Sequence, residues 1–160
     1  EHFKVVPDIL VLGKALGGGM PMGAFISSQE HMKLLTHDPA LGHITTFGGH
    51  PVACAAGLAA LEVLLEEDLI ANAIRMGDLF RELLVHPAIR EVRGKGLMLA
   101  VDLGDADKVQ RVVHGCLEQG VLGFWFLSCP EAFRLAPPLM INEEQAKAAV
   151  EVVLSELGSS

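Results

Sequence analysis

A lysine placed between an apolar run and three consecutive glycines is the feature that most constrains this chain. Residues 9–12 (ILVL) predict a buried strand, Gly13 and Lys14 follow it directly, and residues 17–19 are all glycine. A lysine at a strand end either extends to water or is held partly desolvated, as lysines that react with carbonyl groups are. The spacing by itself leaves both interpretations open. Glycines permit positive φ and would let the chain pass close to a bound ligand.

The balance of apolar and charged residues argues against several functions. The 160 residues are 51% hydrophobic, which is enough for a real core and predicts apolar surface that is buried against something else. No run reaches the roughly 18 uncharged apolar residues that a membrane span needs. The formal net charge of -8 and the absence of a basic stripe argue against a nucleic-acid partner. Any anionic ligand must therefore be held by local donors.

The cysteines and histidines do not predict a metal site. Cys54, Cys116 and Cys129 are odd in number and show no CxxC spacing, which argues against a disulfide framework and fits a reducing, cytoplasmic compartment. His50 and Cys54 stand four residues apart and would share one face of a helix. No third ligand has a matching spacing, so we expect no metal.

The periodicity predicts an α/β fold, with a change of pattern near residues 70–88. In the first half we expect strands at 8–13 and 23–28, a short helix at 29–36 capped by Ser28, and a helix from Pro51 to about Glu67. The first half of that long helix is small and apolar all round, which predicts burial on most sides and close approach of backbones.

The second half has an α+β pattern. A helix at about 69–84 leads into it, and Gly94 to Gly96 predict a hairpin. The remaining expected elements are strands at 89–93, 97–103, 121–127 and 132–136, a helix at 105–119 closing at Gly120, and a last helix capped by Asn142. We therefore expect two domains, residues 1–70 and 71–160.

Two further positions have the chemistry of a binding site. Thr45 and Thr46 precede the helix that begins at Pro51, where hydroxyls and free backbone N–H groups can bind a phosphate. Arg134 lies in an otherwise apolar strand and needs an anionic partner. That partner is either a carboxylate of the same domain or a bound carboxylate, and a planar fork serves both.

Four segments in order resemble one family, the class III (subgroup II, omega-type) aminotransferases, which depend on pyridoxal phosphate. These segments are residues 7–24, 45–51 (TTFGGHP), 92–98 (VRGKGLM) and 134–139 (RLAPPL). The pattern is most similar to acetylornithine and ornithine aminotransferases. The resemblance implies the fold of type I pyridoxal phosphate enzymes, with the end of the large domain and its interface helix in residues 1–70 and the small C-terminal domain in 71–160.

The resemblance also implies roles for single residues. Lys14 would bind the cofactor covalently and move the substrate proton, and Thr46 would bind the cofactor phosphate of the neighbouring subunit, with Thr45 as second choice. Arg134 would lie near the substrate and pair with a carboxylate of enzyme or substrate. The sequence departs from the family at His50, where an asparagine is usual before Pro51. That departure puts the hydrogen bonding of the turn in question.

The implied activity is transfer of an amino group from an amino acid or omega-amine to a 2-oxo acid, in a homodimer. Another fold type I pyridoxal phosphate enzyme, an aminomutase or a racemase, would use the same motifs. The chain begins at Glu1, and we interpret it as a C-terminal fragment whose family aspartate for the cofactor ring lies upstream. By itself it would then be a non-catalytic small-domain and dimerisation module.

Overall fold

A computed structural model describes residues 2–158, which form two compact units divided between Glu67 and Asp68. The first unit contains strands β1 (Ile9–Leu12) and β2 (Ala24–Ser27), a 3₁₀ helix (Lys14–Gly17), and helices α1 (Gln29–Leu34) and α2 (Pro51–Glu66). The second contains helices α3 (Leu69–Leu83), α4 (Ala106–Glu118) and α5 (Glu143–Gly158), and strands β3 (Glu91–Lys95), β4 (Met98–Asp102), β5 (Phe124–Trp125) and β6 (Ala132–Leu135). No helix within residues 2–158 is long and apolar enough to cross a membrane.

Strands β1 and β2 form an antiparallel ribbon in which Ile9 faces Ser27 and Leu12 faces Ala24. Both predicted strands are confirmed, and so is the cap of α1, because the His31 N–H donates to Ser28 Oγ at 3.3 Å. The prediction that residues 9–12 are buried is wrong, since three of the four are exposed. A ribbon of two strands has no further strand or second layer of its own to cover its side chains.

Helix α2 packs its small residues against the 3₁₀ helix. A β-carbon at Gly57 would lie 2.7 Å from the Leu16 carbonyl oxygen, so the predicted close approach of backbones is confirmed. The prediction of burial on most sides is wrong, because Ala53 and Gly57 are the only buried residues of α2. The 3₁₀ helix covers one narrow stripe of α2 and leaves its leucines exposed, such as Leu58 and Leu65.

The second unit is built on an antiparallel sheet of order β3-β4-β6-β5, with α3 and α4 against its strands and α5 against those two helices. The predicted hairpin is confirmed, with Lys95 facing Met98 and Gly96 at a φ of +51° in the turn. Fully buried side chains from sheet and helices form one core: Phe80, Leu99, Val101, Val109, Val112, Phe133 and Val153. Each buried side chain of this kind contributes about 1.5–3 kcal/mol relative to exposure.

Local chemistry sets the helix ends of this unit. The Gln145 N–H donates to Asn142 Oδ1 at 2.9 Å and the Asn142 N–H donates to Gln145 Oε1 at 3.1 Å, which confirms Asn142 as the cap of α5. Helix α4 ends near Gly120, which has a φ of +84°, as predicted. The strand predicted at 121–127 is shorter, because only Phe124 and Trp125 find partners on β6.

Candidate functional site

Lys14 begins the 3₁₀ helix with a left-handed backbone, at a φ of +52°. A non-glycine residue there is strained by roughly 1–3 kcal/mol, and such strain clusters at functional sites. The preceding Gly13 is extended, with a φ of -167°. Of the two interpretations that the spacing left open, the described chain has the lysine that extends to water, since Lys14 is exposed. Lys14 comes directly after the ribbon of β1 and β2, whose side chains are largely exposed. In the 3₁₀ helix that Lys14 begins, the buried residue is Gly17.

The glycines after Lys14 have the predicted conformations and a partner that the sequence did not indicate. Gly18 has a φ of +56° and Gly19 a φ of +94°. A β-carbon at Gly18 would lie 2.3 Å from the Ala56 carbonyl oxygen of α2. The close approach that Gly18 permits is therefore to a helix of the same unit, and it fixes the turn that carries Lys14.

A groove of about 300 Å³ brings the lysine segment and the threonine segment together. Met20 and Pro21 line it from the residues that follow the glycines, and Phe47 and His50 line it from the segment 45–51. The start of α2 completes the lining with Val52 and Ala53. Two of the segments singled out in the sequence are thus neighbours in the first unit.

The two threonines lie in the exposed loop before α2. The Gly48 N–H donates to the Thr45 carbonyl oxygen at 3.2 Å, and a β-carbon at Gly48 would lie 2.7 Å from Thr45 Oγ1. The Thr46 hydroxyl makes no hydrogen bond to any residue in the described range 2–158. Thr46 therefore has a hydroxyl available to a ligand.

His50 occupies the position before Pro51 without capping the helix. It is the N-terminal cap residue of α2, yet its side chain accepts no hydrogen bond from the first turn. Its ring centroid lies 6.5 Å from that of Phe47, with the planes at 56°. The departure from the family's asparagine therefore leaves this helix start without a side-chain cap.

Arg134 lies in β6, where Ala132, Phe133 and Leu135 are buried. Its guanidinium carbon lies 5.6 Å from the centroid of the Phe124 ring, a cation–π contact. Within the described residues no carboxylate pairs with this guanidinium, so the ion pair within the same domain is not found there. Arg134 belongs to the second unit, whereas Lys14, Thr45 and Thr46 belong to the first.

Sequence reasoning missed Arg93, whose guanidinium is at the centre of a polar network in the second unit. Its Nη1 donates to Asp102 Oδ2 at 2.8 Å and to Glu91 Oε2 at 3.1 Å, and its Nη2 lies 3.4 Å from Cys129 Sγ. The hydrogen bond from Arg93 lowers the pKa of the Asp102 carboxyl. The register of the hairpin was the available signal, because Arg93 lies diagonally opposite Asp102 on paired strands.

No group of three or more histidine, cysteine, aspartate or glutamate side chains within residues 2–158 is arranged to hold a metal ion. His50 precedes α2 and Cys54 lies on its first turn, and no third donor joins them among those residues.

Solved structures of aminotransferases match the whole length of this chain. It is 36% identical to ornithine aminotransferase from Toxoplasma gondii, with 99% of this chain and 38% of that chain covered and a TM-score of 0.86. For acetylornithine aminotransferase from Elizabethkingia anophelis the identity is 38%, the coverage 99% and 41%, and the TM-score 0.84. It is 30% identical to an (S)-enantioselective omega-transaminase from Thermomicrobium roseum, with 99% of this chain and 38% of that chain covered and a TM-score of 0.85.

The chain spans about two fifths of the length of these structures, 38% to 41%. The similarity establishes the fold of type I pyridoxal phosphate aminotransferases for the residues present. The family model described as aminotransferase class-III matches residues 1–156. This match covers nearly the entire sequence and includes all four segments that suggested the resemblance. The chain belongs to the class III aminotransferase family.

Proposed function

We propose that this chain supplies catalytic and binding residues to a pyridoxal phosphate-dependent aminotransferase of the acetylornithine and ornithine type. Such an enzyme transfers an amino group from an amino acid or omega-amine to a 2-oxo acid. The observation that carries the proposal is the strained backbone of Lys14 at the start of the glycine turn, in a chain of this family.

The residues present fit the cofactor that class III aminotransferases use. Pyridoxal phosphate needs an accessible amine for its aldehyde carbon and donors for its phosphate. The Lys14 side chain is exposed, so its amine can be reached, and the Thr46 hydroxyl has no acceptor among residues 2–158. When bound, the cofactor supplies an electron sink that stabilises negative charge developing at the substrate Cα.

We assign Lys14 two tasks. Its Nζ would hold the cofactor covalently and, when free, would take the proton from the substrate Cα. One amine can do both because the turn from Gly13 to Gly18 fixes the backbone position from which the Lys14 side chain extends. The contacts of Gly18 and Gly57 with opposite backbones hold this turn against α2.

We assign the phosphate to Thr46, with Thr45 as second choice. A hydroxyl and the N–H groups before a helix suit a dianion, and the phosphate would belong to the cofactor of the neighbouring subunit of a dimer. The Thr45 hydroxyl packs over Gly48 and is less free than that of Thr46. For Arg134 we propose a carboxylate partner, from the substrate or from another part of the enzyme.

We propose further that residues 1–70 belong to the large domain and 71–160 to the small domain of the enzyme, which acts as a cytoplasmic homodimer. The chain alone is expected to be inactive, because about two fifths of an aminotransferase lacks most of the expected cofactor contacts. The exposed apolar side chains of α2, including Leu58, Leu61 and Leu65, support an interface there.

Borohydride trapping tests the proposal directly. The protein as its gene encodes it is incubated with pyridoxal phosphate, reduced and mapped by peptide mass. We expect one adduct, on Lys14, that disappears in Lys14→Ala and persists in the control Lys95→Ala, an exposed lysine of the hairpin. An adduct on several surface lysines, or none, would refute the assignment. The 160-residue chain tested in parallel is expected to show no transamination.

A further inference from the structure

A pocket of about 290 Å³ lies in the second unit, where α3 ends and β3 begins. One continuous stretch of chain lines it, because all of its lining residues fall between Arg81 and Val92. The side chains in this lining that can donate hydrogen bonds are Arg81, His86 and Arg90, and the apolar ones are Leu84, Val85, Ile89 and Val92. None of these residues has a role in the proposed cofactor or substrate site.

Arg90 brings to this pocket a guanidinium without an acceptor. Its side chain makes no hydrogen bond or ion pair with another residue in the range 2–158. A β-carbon at Gly104 would overlap this guanidinium, so the group lies directly over a residue that has no side chain. The planar fork of an arginine matches the two oxygens of a carboxylate. Arg90 therefore has donors available to an anion.

His86 supplies a second donor, and a backbone contact sets its tautomer. The Ala88 N–H donates to His86 Nδ1 at 3.1 Å, so the neutral ring has its proton on Nε2. Nε2 makes no hydrogen bond to the part of the chain that the structure describes. Its N–H is therefore available to an anion whether the ring is neutral or protonated.

The neighbouring charges favour an anion with a single negative charge. Arg81 Nη1 donates to Asp78 Oδ1 at 2.9 Å, so the charge of this arginine is partly balanced. Glu91 also lines the pocket, where its Oε2 accepts from Arg93 Nη1 at 3.1 Å. A dianion would be repelled by the Glu91 carboxylate, whereas one negative charge is matched by the unpaired Arg90.

The apolar part of the lining suits a short hydrocarbon chain. Leu84 is buried, and Ile89 and Val92 are half-buried. Val85 is 75% exposed, so a ligand in the pocket would remove apolar surface from water. Donors for a carboxylate thus lie beside a wall that favours an aliphatic group.

We propose that this pocket binds an aliphatic monocarboxylate. Its carboxylate pairs with Arg90 and accepts from His86 Nε2, and its hydrocarbon chain packs on the wall of Val85 and Ile89. The site is distinct from the proposed cofactor site, because all of its residues belong to the second unit, whereas Lys14 belongs to the first. The inference therefore does not depend on the proposed function.

Photolabelling locates the ligand on the chain. The protein as its gene encodes it is irradiated with a diazirine derivative of pentanoate, digested and mapped by peptide mass. We expect the label within residues 81–92 and about 10-fold less of it there in Arg90→Gln, because a charged partner is lost. The matched control is Arg111→Gln, at an exposed arginine of α4, which should be labelled as the wild type is.

Competition with unlabelled compounds tests the chemical class on the wild-type protein alone. Pentanoate should suppress the label on residues 81–92 at about 10-fold lower concentration than acetate, which has the same charge and a shorter chain. Pentanol, which has no charge, and inorganic phosphate should suppress the label much less than pentanoate.

The inference is overturned if the label is absent from residues 81–92, or if Arg90→Gln is labelled there as strongly as the wild type. Suppression by pentanol or phosphate equal to that by pentanoate would overturn the monocarboxylate class. The melting temperature of Arg90→Gln is measured in parallel. If this variant does not fold, the competition series on the wild type decides the question.

Discussion

Gly57 of α2 and Leu16 of the 3₁₀ turn are in backbone contact, since a β-carbon at position 57 would lie 2.7 Å from the Leu16 carbonyl oxygen. Gly18 makes the reciprocal approach to Ala56, at 2.3 Å. The turn that begins with Lys14 is thereby seated on α2 by two glycines. Any side chain at either position must push turn and helix apart.

We therefore expect Gly57→Ala to destabilise the first unit. The clash of the new methyl group costs about 1–3 kcal/mol and outweighs the gain in helix propensity of about 1 kcal/mol. Hydrogen exchange of the α2 amides should become faster. The control is Gly13→Ala, whose β-carbon would meet no atom within 4 Å and whose backbone is extended. Equal effects of the two substitutions would contradict the contact.

Two substitutions of Lys14 should distinguish its backbone strain from its reaction with the cofactor. Because its φ is +52°, glycine fits the backbone better than alanine, and Lys14→Gly should be more stable than Lys14→Ala by about 1 kcal/mol. Both variants should lose the borohydride adduct. Urea denaturation measures the difference, and identical unfolding free energies would argue against a left-handed Lys14.

Arg134→Gln should weaken substrate binding and leave the fold intact. The guanidinium contacts the Phe124 ring and has no carboxylate partner within residues 2–158, so its loss removes a cation–π contact of about 1 kcal/mol. We expect KM for a carboxylate-bearing amino donor to rise about 10-fold or more, as for loss of a charged partner. Arg111→Gln, on the exposed face of α4, is the control.

The contact between Arg93 and Asp102 predicts an acid-sensitive second unit. The guanidinium lowers the pKa of the Asp102 carboxyl in the folded state. This carboxylate therefore stabilises the fold above its unfolded pKa of about 3.9, and the contribution is lost as pH falls through the lower folded value. Asp102→Asn should be less stable than wild type at pH 7, and the gap should narrow below about pH 4.

Urea denaturation at a series of pH values measures this gap. Glu144→Gln is the control, an exposed carboxylate on the first turn of α5. A gap between wild type and Asp102→Asn that stays constant from pH 7 to pH 3 would show that the carboxylate does not titrate with folding.

Local signals predicted most elements, because their determinants are close in sequence. Ser28 and Asn142 cap the helices that follow them, and Gly96 forms the hairpin turn, each through contacts within a few residues. The segment that contains Lys14 was found in the same way. Its glycines permit positive φ, which the structure has at Gly18 and Gly19.

Features that depend on distant partners were not predictable. The apolar pattern of residues 9–12 indicated burial, but burial depends on what packs over the ribbon, and periodicity does not report that. The stacking of Arg134 on Phe124 depends on the register of β5 and β6, two strands separated by a loop. The φ of Lys14 was hidden because a non-glycine residue rarely adopts it.

The buried apolar core is unevenly divided between the two units, and this division affects the free energy of ligand binding. All of its clustered members lie between Met76 and Leu157, whereas Ala53 is the buried apolar side chain of the first unit within the described residues. The residues proposed to hold the cofactor therefore lie where the fold has least apolar burial to oppose the loss of chain entropy. For the 160-residue chain by itself, part of the intrinsic binding free energy of a ligand held here would be consumed in ordering this unit. An apparent dissociation constant would then report folding and binding together.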